Sequence, residues 1–262
     1  MAYRTEINDL LLTALTYALK DSNGNNIQGI TMEGHGRENR DPSIDHSHTV
    51  GWFTSMFPVK MELHGTVRES IQSIKESLHS IPNKGIGFGN FARDKNTGYT
   101  FDDLAPISFN YLGQFDKKKE EDWQILSEAS GASVHPSNSG HDLININGMV
   151  IDGKLQFHIV AKMDREATER LGHSLKTHLT TIIKHCTEKL EKEGSSYTPS
   201  DFKSVKISQL LLDTLLSKAR AHQNELAHIY PANSLQQGFI YHALSQSDDD
   251  AYSCLLYTSD AA

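Results

Sequence analysis

The sequence of 262 residues has little cysteine and no long apolar run. Cys186 and Cys254 are the only two cysteines, and they stand far apart without a CxxC pair, which argues against a disulfide framework or a cysteine zinc site. No apolar run approaches the ~20 residues that span a bilayer, and the first residues lack the basic and apolar regions of a signal peptide. These absences favour a reducing, cytoplasmic setting with no membrane partner.

Basic charge and ligand clusters are also scarce. The chain has 25 Lys and Arg against 33 Asp and Glu, a formal net charge of -8, and no basic block that would neutralise phosphates, so nucleic acid is not expected as a partner. His46 and His48 lie in a polar loop without a third ligand at metal spacing. Glycines at 85, 87 and 89 predict a flexible connection but lack the spacing of a nucleotide-binding loop. We therefore expect neither a bound metal nor a directly bound cofactor.

Helical and strand patterns alternate along the chain. Apolar residues at helical spacing predict helices over residues 5–20, 67–81, 165–192 and 205–221. Strand-like segments cover residues 27–33, 50–63, 107–112, 143–150 and 155–160. Asp152 and Gly153 predict a hairpin between the last two strands, and residues 21–26 predict a turn after the first helix. The mixed order indicates an α/β class, with a sheet covered by helices.

Several aromatic residues accompany these strands. Trp52 and Phe53 lie in the strand-like segment at residues 50–63, which Pro58 is expected to break. We interpret both aromatic residues as core residues rather than as a stacking platform. The same interpretation applies to Phe109 and Tyr111.

A glycine-punctuated acidic loop is the first candidate site. Glu33 ends a predicted strand, and His35, Arg37 and Glu38 follow it within six residues. Carboxylate, imidazole and guanidinium groups so close together could provide an acid or base with a positive neighbour. A solvated polar turn is the alternative, because charged residues are mostly exposed.

Five segments in order carry a family resemblance. They are YRTEINDLLL at residues 3–12, EGHGRE at 33–38, TVGWFT at 49–54, PNKGIG at 82–87 and FNYLGQFD at 109–116. Together they resemble the core motifs of epimerization domains of nonribosomal peptide synthetases, over about residues 3–203. His48 stands where that family usually has arginine.

The resemblance implies a fold and a domain organisation. The family belongs to the condensation superfamily, whose fold resembles chloramphenicol acetyltransferase: two lobes form a V with the active site in the channel between them. Residues 1–193 are then the C-terminal lobe of an epimerization domain. The HHxxxDG motif of the superfamily is absent, so we expect an N-terminal lobe of the same domain as a missing partner.

A second resemblance concerns the end of the chain. Residues 229–242 resemble the opening motif of another condensation-type domain. We therefore expect an exit linker and linker helix over 194–228 and the start of a downstream condensation-type domain over 229–253. Residues 254–262 do not continue the expected strand and are interpreted as a non-native tail.

The resemblance also implies a reaction: L-to-D epimerization at Cα of an aminoacyl or peptidyl thioester. Glu33 would be one acid/base, with His35, Arg37, Asn110 and Tyr111 as supporting or channel residues. The substrate would arrive on the phosphopantetheine arm of an upstream peptidyl carrier protein. Two alternatives stay open, namely a condensation domain that forms peptide bonds and a non-catalytic domain that docks a carrier protein. Without its N-terminal lobe, we expect the chain by itself to be inactive.

Overall fold

The computed structural model describes residues 1–38, 43–115, 131–132, 135, 137–138, 140–222, 224 and 226–245. The chain divides into two compact units, Met1–Tyr197 and Thr198–Ala262. The predicted tail at 254–262 and Asp116, the last residue of the FNYLGQFD segment, lie outside the described residues.

A five-stranded mixed sheet forms the centre of the first unit. Its strands are β1 (Ile27–Gly34), β2 (Ser55–Glu62), β3 (Ile107–Gln114), β4 (Ile144–Ile151) and β5 (Lys154–Ala161). The spatial order is β2-β1-β3-β4-β5. The β1–β2 and β4–β5 pairs are antiparallel, whereas β1–β3 and β3–β4 are parallel. The predicted α/β class with a helix-covered sheet is confirmed.

The predicted β4–β5 hairpin is also confirmed. Asp152 and Gly153 have φ of 49° and 69°, so both lie in the left-handed region that a tight two-residue hairpin turn requires. This local chemistry sets the register of the pair, in which Ile151 lies opposite Lys154 and Ile144 opposite Ala161.

Helices cover one face of the sheet. They are α1 (Ile7–Asn23), α2 (Val67–His79), the short α3 (Phe88–Arg93) and α4 (Arg165–Glu193). Fully buried Leu15 of α1 and Ile71 of α2 belong to one core with Ile30 of β1 and Ile146 of β4. Because strand side chains alternate between the two faces, the intervening residues point away from this core.

Helix caps explain where these helices begin and end. A capping box of Thr66 and Glu69 starts α2, with the Thr66 hydroxyl accepting from the Glu69 amide. The first helix runs to Asn23 rather than ending at residue 20 as expected, and Gly24 closes it with φ of 76°. The stop signal is thus this glycine, not the polar residues before it.

Three local expectations were wrong. Strand β2 runs unbroken through Pro58, which an edge strand tolerates because the proline needs no ladder donor on its open side. Residues 50–54 form a loop before β2 rather than strand, so Trp52 is 93% exposed and Phe53 is only partly buried outside the core. Residues 85–89 are no simple flexible link: a 3₁₀ turn at Pro82–Gly85 leads into α3.

The second unit contains two described helices, α5 (Gln209–Ala221) and α6 (Ser234–Ser245). Helix α5 begins at Gln209, four residues later than the predicted 205, after the N-cap Ser208, whose hydroxyl accepts from the Leu211 amide. Among the residues the structure describes, no helix is long and apolar enough to cross a membrane.

Candidate active site

Glu33 lies near the end of β1, on the sheet face opposite the main core. It pairs with Met56 of the edge strand β2. On its other side, the parallel register of β1 and β3 continues to Asn110, whose Nδ2 donates a 3.0 Å hydrogen bond to Oε2 of Glu33. Strand pairing thus joins the EGHGRE and FNYLGQFD segments at one point.

The surroundings of Glu33 favour its neutral form. Burial raises the pKa of this half-buried carboxyl, and the negative charge of Asp142 raises it further. A raised pKa moves a carboxyl group towards the range in which it can both release and accept a proton, which suits general acid–base chemistry.

A row of polar side chains continues from Asn110 across the same face. Ser108 Oγ donates to Asp142 Oδ2 at 2.8 Å. Asn145 Nδ2 donates to Ser108 Oγ at 2.7 Å and to Asp142 Oδ2 at 3.2 Å. Asn147 Nδ2 donates to Asn145 Oδ1 at 2.6 Å. These four residues extend the candidate site over β3 and β4.

Sequence reasoning missed these four residues, although one signal was available. The segment Ile144-Asn145-Ile146-Asn147 alternates strictly, and Ile144 and Ile146 are buried in the core. Period-2 alternation therefore places both asparagines on the opposite face. That this face is the one carrying Glu33 depends on the strand order.

His35 and Arg37 make their described contacts within the loop itself. Nδ1 of His35 accepts from the Arg37 amide, and its Nε2 lies 3.0 Å from a Glu38 oxygen. The Arg37 guanidinium donates to the carbonyls of His46 and Thr49, both at 2.8 Å. These contacts tie residues 33–38 to the loop before β2.

Phe53 and Gly36 complete this loop junction. The guanidinium carbon of Arg37 lies 4.1 Å from the centre of the Phe53 ring, a cation–π contact. Gly36 has φ of 66°, and a Cβ there would lie 1.6 Å from the Phe53 carbonyl oxygen. Only glycine permits this close approach of the two backbones.

Tyr111 occupies a different position from its neighbour Asn110. It follows Asn110 in β3 and packs, partly buried, against the hydrophobic core, next to Gly148 of β4. The structure therefore brings Asn110, but not Tyr111, into contact with Glu33. Phe109 is 1% exposed and belongs to the core.

A metal site in the described part of the chain would need several ligand side chains close together. No group of three or more His, Cys, Asp or Glu side chains there could hold a metal ion.

Comparison with known proteins identifies one family. Residues 1–204 match the family model described as the condensation domain. Bacitracin synthase 3 of Bacillus licheniformis is 37% identical over 260 residues, covering 96% of this chain and 4% of that protein. Bacitracin synthase 1 of the same organism is 35% identical over 259 residues, covering 96% of this chain and 5% of that protein. The chain thus spans a small part of the curated relatives it matches.

A solved structure supports the fold comparison. The epimerization domain from the third module of tyrocidine synthetase B is 34% identical, with a TM-score of 0.65, over 71% of this chain and 44% of that domain.

Proposed function

The chain belongs to the condensation domain family, and we propose that it is the C-terminal lobe of an epimerization domain within a nonribosomal peptide synthetase. The observation that carries this proposal is the contact between Asn110 and Glu33, which joins two segments resembling epimerization motifs. Likeness to the epimerization domain of tyrocidine synthetase B, at 34% identity, supports it.

The proposed reaction inverts Cα of an aminoacyl or peptidyl thioester. One group removes the Cα proton, and the electron pair moves into the thioester carbonyl to give an enolate. A proton then returns to the opposite face of Cα, and the carbonyl re-forms. The net change is inversion without loss or gain of atoms.

Glu33 serves as the acid or base on one face of Cα. Its raised pKa suits a group that is regenerated in each cycle. Asn110 orients the carboxylate through Oε2. The group on the other face comes from the N-terminal lobe, which carries the HHxxxDG motif in the superfamily.

The wider arrangement belongs to the same proposal. Residues 1–193 form the catalytic lobe, 194–228 the exit linker and linker helix, and 229–253 the start of a downstream condensation-type domain. An upstream peptidyl carrier protein presents the substrate on its phosphopantetheine arm, so the lobe needs no diffusible cofactor. The synthetase is cytoplasmic.

Condensation is the second candidate function. It is favoured by the family model, whose description names condensation rather than epimerization. A condensation domain would join a donor acyl group to an acceptor amine and would leave the Cα proton in place.

Proton exchange distinguishes the two functions. This chain, joined to an N-terminal lobe of the family, is given a carrier-bound L-aminoacyl or peptidyl thioester in deuterated water. We expect deuterium at Cα together with racemisation. Glu33→Gln should reduce both by about 10²-fold or more, as for loss of a general acid–base group.

The matched control is Glu62→Gln, which removes a carboxylate at the opposite end of β2. It should leave exchange at the wild-type rate. Peptide bond formation without exchange would overturn the proposal in favour of condensation.

A further inference from the structure

Asp142 accepts two hydrogen bonds directly before β4. Ser108 and Asn145 both donate to its Oδ2, at 2.8 and 3.2 Å. Both hydrogen bonds end on the same carboxyl oxygen, which holds the Asp142 side chain in one orientation. Ser108 lies two residues before Asn110 on β3 and therefore on the same sheet face.

We propose that Asp142 is a second carboxylate of the Glu33 site: a positioning residue that acts on Glu33 through its negative charge, from a place held by Ser108 and Asn145. This inference rests on the proposed role of Glu33. It adds a residue outside all five segments that resemble the family motifs.

Strand register connects Asp142 to the rest of the site. Ser108 is paired with Asn145, and Asn110 with Asn147, so each hydrogen-bonding residue of β3 has an asparagine of β4 beside it. Asn145 directs its amide nitrogen to Ser108 and Asp142, and its oxygen accepts from Asn147. The amide nitrogens of Asn145 and Asn147 therefore both donate towards the carboxyl group of Asp142, which accepts at the end of the row.

Electrostatics supports the inference. Two carboxylates on one partly buried surface disfavour ionisation of the one with less hydrogen-bond support. Glu33 accepts one described hydrogen bond, from Asn110, whereas Asp142 accepts two. The pKa of Glu33 is accordingly raised, first by burial and then by Asp142.

Other charged or titratable groups lie on or near this face. They are Lys60 and Glu62 of β2, Lys154 and His158 of β5, Lys162 after β5, Lys84 after α2, and His35, Arg37 and Glu38 after β1. Glu38 is engaged with His35 and Lys84, at 3.0 and 3.7 Å. Lys60 pairs with Glu62 at 2.8 Å. Burial is the larger cause of the raised pKa of Glu33, and Asp142 is the charged group that adds to it.

The effect on the reaction concerns the protonation state of Glu33. Burial and then the negative charge of Asp142 raise the pKa of Glu33, which favours its protonated form. The carboxyl can then supply a proton to Cα, and once it has done so it becomes a stronger base for the next cycle.

Carboxyl titration by ¹³C NMR tests the proposal on the full 262-residue chain. The Glu33 signal is identified by its loss in Glu33→Gln. In Asp142→Asn, we expect the pKa of Glu33 to shift downward. In Ser108→Ala, which removes one donor from Asp142, we expect a smaller downward shift.

Glu191→Gln is the control, because it removes one negative charge from an exposed position of α4. It should leave the Glu33 titration unchanged. An unchanged Glu33 pKa in Asp142→Asn, or a Glu33 pKa shift of the same size in Glu191→Gln, would overturn the proposal. Amide ¹H–¹⁵N spectra check the fold, and if Asp142→Asn does not fold, Ser108→Ala decides by the same criterion.

This measurement does not depend on turnover. If the Glu33 pKa shifts in Asp142→Asn but the joined protein shows no Cα exchange, the proposed function is contradicted and the role of Asp142 stands. If the joined protein exchanges Cα but the Glu33 pKa does not shift in Asp142→Asn, the role of Asp142 is overturned and the proposed function stands.

Discussion

Asn110 donates a 3.0 Å hydrogen bond to Glu33 from a strand 77 positions further along the chain. The bond uses Oε2, and among the described residues Oε1 has no hydrogen-bond partner. One carboxylate oxygen is thus held by the protein, while the other remains available. This is the geometry expected of an oriented acid or base.

The first prediction concerns this bond. Asn110→Ala should slow Cα proton exchange by roughly 10- to 100-fold, because the carboxylate of Glu33 loses the contact that orients it. The loss should appear mainly in kcat, with KM for the carrier-bound thioester little changed. Exchange into the thioester, measured in deuterated water with the joined two-lobe protein, provides both constants.

Asn25→Ala is the matched control for that variant. Its side chain is exposed in the turn after α1 and has no described side-chain contact. It should exchange at the wild-type rate. Wild-type kcat in Asn110→Ala would show that the contact does not orient the carboxylate proposed as the acid or base.

The second prediction concerns the loop after β1. Gly36 and Gly98 both have positive φ, of 66° and 71°. A Cβ at Gly98 would meet no atom within 4 Å, so Gly98→Ala should cost only the left-handed strain, about 1–2 kcal/mol of unfolding free energy. Gly36→Ala should cost more, because its Cβ would overlap the Phe53 carbonyl.

Denaturant unfolding of the two variants compares these costs. Hydrogen exchange at Arg37 and Thr49 shows whether the loop opens locally instead. Equal costs, with unchanged exchange in the loop, would mean that the close approach of Gly36 and Phe53 is not maintained in solution.

The third prediction concerns pH and the α1–α4 contact. Asp21 Oδ2 accepts from Ser174 Oγ at 2.6 Å and from His178 Nε2 at 2.7 Å. The Ser174 bond and then the His178 bond lower the pKa of Asp21 below its ordinary value of 3.8. Because the unfolded chain then binds more protons as the pH falls, the contribution to stability is present above 3.8 and is lost below the folded pKa.

Asp21→Asn should therefore be less stable than wild type at pH 6, and the difference should shrink as the solution is acidified through that range. Thermal unfolding at a series of pH values measures it. Glu191→Gln, an exposed carboxylate change on α4, should show no such pH-dependent difference. A difference in stability between Asp21→Asn and wild type that is the same at every pH would contradict a lowered pKa of Asp21 in the folded chain.

Local patterns predicted much of the first unit. The Asp152-Gly153 turn and the alternation around it specify the β4–β5 hairpin, and the apolar spacing of Leu171 and Leu175 predicts α4. Failures came where tertiary position overrides composition. Trp52 is apolar but lies outside the covered face, and Pro58 is tolerated because β2 is an edge strand.

Some residues of the candidate site were indicated by the sequence, and others were found only in the tertiary structure. The EGHGRE and FNYLGQFD segments indicated Glu33 and Asn110 from sequence, because their composition and order resemble a family. Asp142, Ser108 and the two asparagines of β4 carry no comparable local signal. Their relevance depends on which strand lies beside which.

The sequence by itself indicated most of the helices and strands and the hairpin turn, since each depends on interactions between residues close in the chain, and it indicated Glu33 through a family resemblance. Only the tertiary structure decided that β3 lies between β1 and β4, and so brought Asn110 and Asp142 to the sheet face of Glu33. The physical reason is that parallel pairing requires long crossovers, and the partner of a strand is selected by burial of the whole core rather than by its own residues.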